Sequence, residues 1–464
     1  MAKKIKKNRK KEIKKILKKL NLSDYEYGAD DENITLSAMA PQLVDFLNAL
    51  GIKKLFEEEV KIHKRKSRYS SSCLSELLIL QNILGYDRIE SSKALRLDGH
   101  YQKKLSINGY PDPETFRDEL QRYTPENINQ LFIVNKRLLN LLAKQEEPQY
   151  IDLHMDSKVI TVYGDQENAE IGYNPQKPGR KSYHLKICTV EPFGFILAIR
   201  IDSGDAVSST EFESFYHQCV EAIPTKYFVI RTIRLDRGFF SEDNIKLFEA
   251  DYIFFEVVAK KYKSLKEFIR SIPEEDFEPF NLSETIEGAC FRFSLDSWEG
   301  ERDFVVIRKL IRKKDNGQRL LFAELGEWDY QVICHNNLDM SPYEIWQDYN
   351  QRARIELVVR ELDYDYFLTK VPTGRYLANF AYFWHAVIAY NTILFFKRYI
   401  LQGEWTTRTI ATLRKRLFNL PGRLVNRSGR MVMRIIKGFK EVELLNFIQE
   451  KLISFYQRLN LVPL

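Results

Sequence analysis

The order of segments between residues 149 and 259 constrains the fold more than any other feature of the 464-residue chain. QYIDLHMDSKVITVYG is β-branched and alternates with a period of two, as a strand does. YHLKICTV and FGFILAIRI continue the pattern, joined through Glu191-Pro192-Phe193-Gly194, a turn signal. STEFESFYHQCVEAIP then places Phe212, Phe215, Tyr216, Cys219, Val220 and Ile223 on one helical stripe. YFVIRTIRLD reads as a strand, SEDNIKLFEA as a helix capped by Ser241, and DYIFFEVVA as another strand. Three strands, helix, strand, helix, strand predicts a mixed α/β sheet.

The flanks differ in period. Residues 21–149 are expected to be a helical N-terminal domain, because LVDFLNALGIKKLF and ELLILQNILGY carry apolar residues at helical spacing. In GYPDPETFRDELQRY, Thr115 and Asp118 have the spacing of an acidic capping box, which predicts a helix start at Thr115. Residues 261–340 interrupt the α/β pattern. FVVIRKLIRK and RLLFAELGEW flank Asp315-Asn316-Gly317, a hairpin signal, so an inserted antiparallel β unit is expected. Helix resumes at Ser341-Pro342-Tyr343-Glu344, with an N-cap serine, a proline at the first position and a glutamate three residues on. The α/β core would thus comprise 150–260 and 341–400, followed by a helical, basic C-terminal region, 401–464. Tyr376 to Phe396 is 21 residues without a formal charge, long enough to cross a bilayer. It also holds Asn379, His385 and Asn391 among many aromatics. The reading is a buried helix against a sheet, with no membrane span.

Charge is unevenly placed. Residues 1–20, a basic leader, carry a net +10 of the chain's +7, so the other 444 residues sum to −3. From Trp405 to Lys440 there are ten Lys or Arg and no acidic residue. Basic blocks at both ends point to a polyanion partner, most simply nucleic acid. Solvated faces are the alternative. The helical N-terminal domain is read either as a DNA-binding module or as one that only packs or dimerises. Five scattered cysteines without a CxxC pair, and nothing resembling a signal peptide, fit a cytoplasmic chain with reduced thiols.

The segment YNQRARIE places Tyr349, Arg352 and Glu356 three and four residues apart, on one face of a helix. Asp156 lies in the first strand of the α/β unit, with Asp152 and His154 on the same face. Asp236 ends the fourth strand, where ligand-binding groups gather in such sheets. Two strand-borne aspartates and a helix-borne glutamate are the hard oxygen donors that Mg2+ takes, with room left for phosphate and water. Spacing does not single these three out of 64 acidic residues.

A resemblance does. Tyr349, Arg352 and Glu356 match in type and spacing the first three positions of the Tyr-(2)-Arg-(3)-Glu-(6)-Lys signature carried by one branch of the bacterial insertion-sequence DDE transposases. DSKVITVYG, GYNPQKPGRKSYH and RLDRGFFSEDN resemble the blocks around that family's first two aspartates, and PDPETFRDELQRY a block of its N-terminal domain. Several blocks in order, over roughly residues 35 to 440, make the likeness specific. It implies an RNase H-like catalytic core, with the β unit inserted before the last acid. Asp156, Asp236 and Glu356 would be the catalytic metal ligands for two Mg2+ ions, with Mn2+ as substitute. Tyr349 and Arg352 would hold the phosphate next to the cut. Asp152 is a rival to Asp156, which the family block favours. The signature lysine falls at Asp363, and Arg360, one turn after Glu356, is the substitute considered. The implied protein is a transposase that binds terminal inverted repeats and target DNA as a homodimer on double-stranded DNA. It would act in a bacterial cytoplasm at the nucleoid, by metal-dependent cleavage and strand transfer. Relatives with this signature often excise through a hairpin, so that route is open.

Further candidates are Lys177, Arg180 and Lys181, in a Pro/Gly loop that grips DNA backbone or is a plain exposed hairpin loop. Arg423, Arg427, Arg430 and Arg434 recur at intervals of four, three and four, one face of a helix if the segment is helical, and a candidate phosphate track. Trp298 and Trp328 in the insertion are read as core before base-stacking wedges, and His154 as a satisfied sheet residue. Two alternatives stand beside the transposase: a nuclease of the same fold without end joining, and a non-catalytic DNA-binding derivative.

Overall fold

The computed structural model describes residues 2–20, 31–281, 286–310 and 328–460. The Asp315-Asn316-Gly317 turn and most of RLLFAELGEW lie outside the described residues.

The basic leader forms helix α1 (Ala2–Lys19). A short strand, β1 (Ile34–Thr35), precedes α2 (Ala40–Ala49), α3 (Ile52–Glu59), α4 (Ser71–Leu84), α5 (Gly99–Lys104), α6 (Pro113–Leu120) and α7 (Pro125–Ala143). Helix α4 is capped by the Ser70 hydroxyl, which accepts from Cys73 N, and is buried on every side from Ser72 to Leu84. A helix apolar all round needs neighbours all round. Helix α6 corrects one expectation: its cap is Asp112, accepting from Glu114 N, with Pro113 at the first position. Proline's fixed φ and missing N–H suit the first turn, so the helix starts two residues before Thr115.

The sheet follows: β2 (Gln149–Thr161), β3 (Glu170–Ile171), β4 (Lys181–Glu191), β5 (Phe195–Ser203), α8 (Phe212–Glu221), β6 (Phe228–Leu235), α9 (Glu242–Ala250) and β7 (Phe254–Val258). The insertion supplies α10 (Lys263–Ser271), β8 (Glu278–Asn281), β9 (Ile286–Phe293), β10 (Arg302–Leu310) and β11 (Trp328–His335). All ten of these strands share one sheet in the order β3-β4-β2-β6-β7-β11-β10-β9-β8, with β5 also on β4. Strand β2 runs antiparallel to β4 and parallel to β6, and β6 is parallel to β7. The expected antiparallel β unit is therefore continuous with the core sheet, joined where Ile333, Cys334 and His335 of β11 pair with Val258, Val257 and Glu256 of β7.

Then come α11 (Pro342–Asn350), α12 (Ala353–Tyr364), α13 (Tyr376–Tyr399), α14 (Ile410–Leu413), β12 (Gly422–Arg427), β13 (Arg430–Arg434) and α15 (Val442–Asn460). The Ser341 capping box forms as expected. The uncharged run is α13, buried between the sheet and the N-terminal helices. Among the described residues no helix is long and apolar enough to cross a membrane. The C-terminal region is not all helical. Strands β12 and β13 form a hairpin, and β12 pairs with β1.

Candidate active site

Strand β2 positions the first carboxylate. Met155 pairs with Leu235 of the parallel strand β6, so Asp236 leaves the sheet beside Asp156. The Asp236 carboxylate accepts from Gly238 N at 2.9 Å, which caps the short turn that follows. Helix α12 lies across β2. Arg352, at its start, donates to Asp156 Oδ1 at 2.9 Å and to Glu356 Oε1 at 3.3 Å. The structure thus brings Asp156, Asp236, Glu356, Arg352 and Tyr349 together.

YNQRARIE is not one uninterrupted helix. Backbone bonds from Gln351, Arg352, Arg354 and Ile355 run to the residue three before, which tightens the junction of α11 and α12. Tyr349 lies in the last turn of α11 and is 7% exposed, packed in a small core with Ile286, Val305, Ile307, Ile333 and Ile345. Strands β9 to β11 of the insertion therefore set the position of Tyr349.

Burial pushes the Asp156 carboxyl up to about 6. Arg352 pulls it down, and the Asp236 and Glu356 charges push it up. Asp156 therefore senses both of the other carboxylates. Burial also pushes the Tyr349 phenol well above its ordinary range, so it stays an O–H donor. Arg352 Nε is buried with no partner among the described residues. The donor set is right in kind for a hard divalent cation, since three carboxylates repel and oxygen is the preferred ligand. In this arrangement Arg352 meets that repulsion, and no trio of His, Cys, Asp or Glu among the described residues stands within metal-holding reach.

Asp152 does not join the group. It accepts from Arg231 (2.6 and 2.9 Å) and from Arg234 (3.0 Å). A register shift between Ile151 and Asp152 skips Arg231, a bulge that turns it toward the same carboxylate as Arg234. Arg234, 1% exposed, also meets His154, Glu256 and Asp348. His154 is a buried member of this network. Spacing gave no sign of it; the available signal was an arginine two residues before a candidate catalytic aspartate.

Arg360 is exposed, and its charge is felt at Asp365. The cation beside Asp363 is Lys158 of β2, in a direct ion pair. Lys158 and Lys177 line a cleft of about 1020 Å³, together with Arg88, Arg117, Tyr364 and Lys370. Arg180 is exposed, and Lys181 begins β4 and pairs with Asp165 at 3.2 Å. Trp298 packs on Phe240 and Phe304, and Arg308 lies 4.5 Å over the Trp328 ring, so both tryptophans have neighbours in the insertion. The arginine track is not helical: Arg423, Arg427, Arg430 and Arg434 lie in β12 and β13.

The mixed sheet thus carries one aspartate on β2 and another just past the end of the adjacent β6, with a glutamate on the helix laid across them. The family described as transposase DDE domain group 1 matches residues 8–456, and the chain belongs to it. Among solved structures it is similar to a piggyBac transposase, determined by cryo-electron microscopy as a synaptic complex with hairpin DNA. The TM-score is 0.41 at 10% identity, over 91% of this chain and 82% of that one. No curated protein matches the chain.

Proposed function

We propose that the chain is a cut-and-paste DNA transposase of the Tyr-Arg-Glu-Lys signature branch of bacterial insertion-sequence enzymes, with Asp156, Asp236 and Glu356 as its catalytic carboxylates. The observation that carries this reading is Arg352. It is held by Asp156 and Glu356, yet keeps a buried Nε–H with no partner among the described residues. A buried donor left unmade is costly, and a phosphodiester oxygen is the acceptor that a guanidinium grips best. The strand order β5-β4-β2-β6-β7, in which only β4 runs antiparallel to β2, supports an RNase H-like core.

In this reading Asp156, Asp236 and Glu356 would hold two Mg2+ ions, or Mn2+ in their place. Such ions, when bound, activate the attacking oxygen and stabilise the leaving one. Arg352 orients the phosphate next to the cut, and protonated Tyr349 donates to it. The DNA is the element's terminal inverted repeats, held by a dimer, and the freed 3′ ends are joined to target DNA. The Lys158–Asp363 pair favours an intact site over a decayed one. The signature lysine position is acidic, and a lysine reaches it from β2.

The test is a cleavage and joining assay on DNA carrying the repeats that flank the gene, with Mg2+ or Mn2+, and Asp236→Asn alongside. Metal-dependent cuts at the repeat ends and joined products are expected from the wild type only, with binding kept by both proteins. Cuts without joined products would make it a nuclease. Binding without cuts by either protein, in both metals, would make it a non-catalytic DNA-binding protein.

A further inference from the structure

The β12–β13 hairpin presents a face of one charge. Its turn is Ser428-Gly429, with φ of 53° and 80°, the two left-handed positions of a two-residue hairpin turn. Asn426 Oδ1 accepts from Gly429 N at 2.9 Å, which steadies the turn. The register pairs Arg423 with Arg434 and Arg427 with Arg430. Directly opposed residues share a face, and so do residues four apart on one strand. All four arginines therefore project from the same side, and all four are exposed. The opposite side is tied to the body: a Cβ at Gly422 would meet Met433 Sδ at 2.8 Å and Ala38 Cβ at 2.9 Å.

Like charges directly opposed across a ribbon destabilise it. Here two such pairs stack on one ribbon with little relief. Arg423 meets Asp31 at 3.1 Å, whereas Arg427, Arg430 and Arg434 have no carboxylate partner among the described residues. Exposed Lys437 and Lys440 follow, and no acidic residue lies between Trp405 and Lys440. Such repulsion is relieved by a polyanion with charges at fixed spacing. The two arginine pairs stand about 14 Å apart, four residues at ~3.4 Å each. The major groove of duplex DNA is about 12 Å wide and admits a two-stranded ribbon.

We propose that the β12–β13 ribbon is a docking surface for duplex DNA, its paired arginines gripping phosphates on both walls of the major groove. The inference rests on the DNA-transposase reading and adds a surface away from the carboxylates. Arginine–phosphate contacts fix register without reading sequence, so this surface positions DNA and leaves choice of sequence to other residues.

The test is a fluorescence-anisotropy titration of the full chain across a salt series. One labelled duplex carries the repeats that flank the gene, and a second carries a scrambled sequence of equal length. The Arg427→Gln/Arg430→Gln/Arg434→Gln variant is expected to bind both duplexes about tenfold or more weaker at ~0.1 M salt. Its salt slope should fall by about two to three, at ~0.9 for each phosphate that is no longer neutralised. Its melting temperature is expected not to drop, because like-charge repulsion has been removed. Should the triple variant misfold, the tip variant Arg427→Gln/Arg430→Gln reads the same effect with a slope change near two. Wild-type binding with unchanged slopes in the folded variants overturns the ribbon surface and leaves the transposase reading standing. A loss confined to the repeat duplex overturns the backbone grip in favour of base reading. A wild type that binds neither duplex overturns both.

Discussion

At the scale of single residues, the buried cluster around Arg234 sets a testable protonation state. One guanidinium faces three carboxyls, Asp152, Glu256 and Asp348. Burial above all, and Asp348 beside it, push Glu256 up to about 9, against the pull of Arg234. Glu256 therefore holds a proton near neutrality. A carboxyl whose pKa rises on folding stabilises the fold below its unfolded value, 4.5 here, and that contribution is lost as pH rises through about 9. Glu256→Gln is expected to match the wild type near pH 4.5. It should be more stable by on the order of 1–3 kcal/mol at pH 7–8, read from urea midpoints. A difference that does not change with pH would mean that Glu256 is ionised and paired. This network was not legible from spacing, because a strand shows which side chains share a face and not which strand lies beside it. By spacing alone Asp152 and Asp156 were equal and only the family block favoured Asp156; strand β6 places arginines on Asp152 and Asp236 beside Asp156.

Among the elements, α13 shows how one polar residue seats a helix on a sheet. Strand β5 carries an extra residue opposite Cys188 and Thr189, so Leu197 has no partner on β4 and the ladder is broken beside Ile196. Asn391 takes up the backbone there, accepting from Ile196 N at 2.9 Å and donating to Ile196 O at 2.8 Å. It also donates to Asn135 Oδ1 at 2.8 Å, and Asn135 of α7 donates to Ile196 O and Leu197 O. Asn391→Leu would leave a buried N–H and two carbonyls poorly met and is expected to cost about 2–4 kcal/mol in urea unfolding. A loss below about 1 kcal/mol would show that this backbone finds other partners. Side-chain period places Asn391 in a helix against a sheet, and that much is observed; its partner depended on the bulge. The arginine track failed for a different reason. Intervals of four, three and four suit a helix face, yet four is also a multiple of the strand period, and the interval of three spans the turn. Positive φ at Ser428 and Gly429 decided between them.

Over the whole molecule, the chain's two ends are built into one another. Ile34 and Thr35 pair with Arg423 and Gly422, and Phe46 of α2 stacks near Phe455 of α15, with ring centroids 5.8 Å apart. Phe455 is 1% exposed, so Phe455→Ala opens a cavity in the N-terminal helical core and is expected to cost about 3 kcal/mol. Hydrogen exchange checks the coupling: amides of α2 should lose protection in the variant, and unchanged protection there would show two independent units. The sequence by itself determined the order of the long strands and helices from residue 149 to 259 (though not the two-residue β3), the capping of α9 and α11, the buried character of α13 and, through its signature blocks, the carboxylates to examine. Those are local matters, decided by side-chain period and by which residues satisfy the first turn of a helix. Only the tertiary structure decided that the insertion extends the core sheet, that β1 pairs with β12, that Lys158 answers Asp363, and that four arginines share a ribbon face. Each of these depends on which distant segments lie side by side, and that follows from burying apolar faces across the whole chain, not from any pattern within one segment.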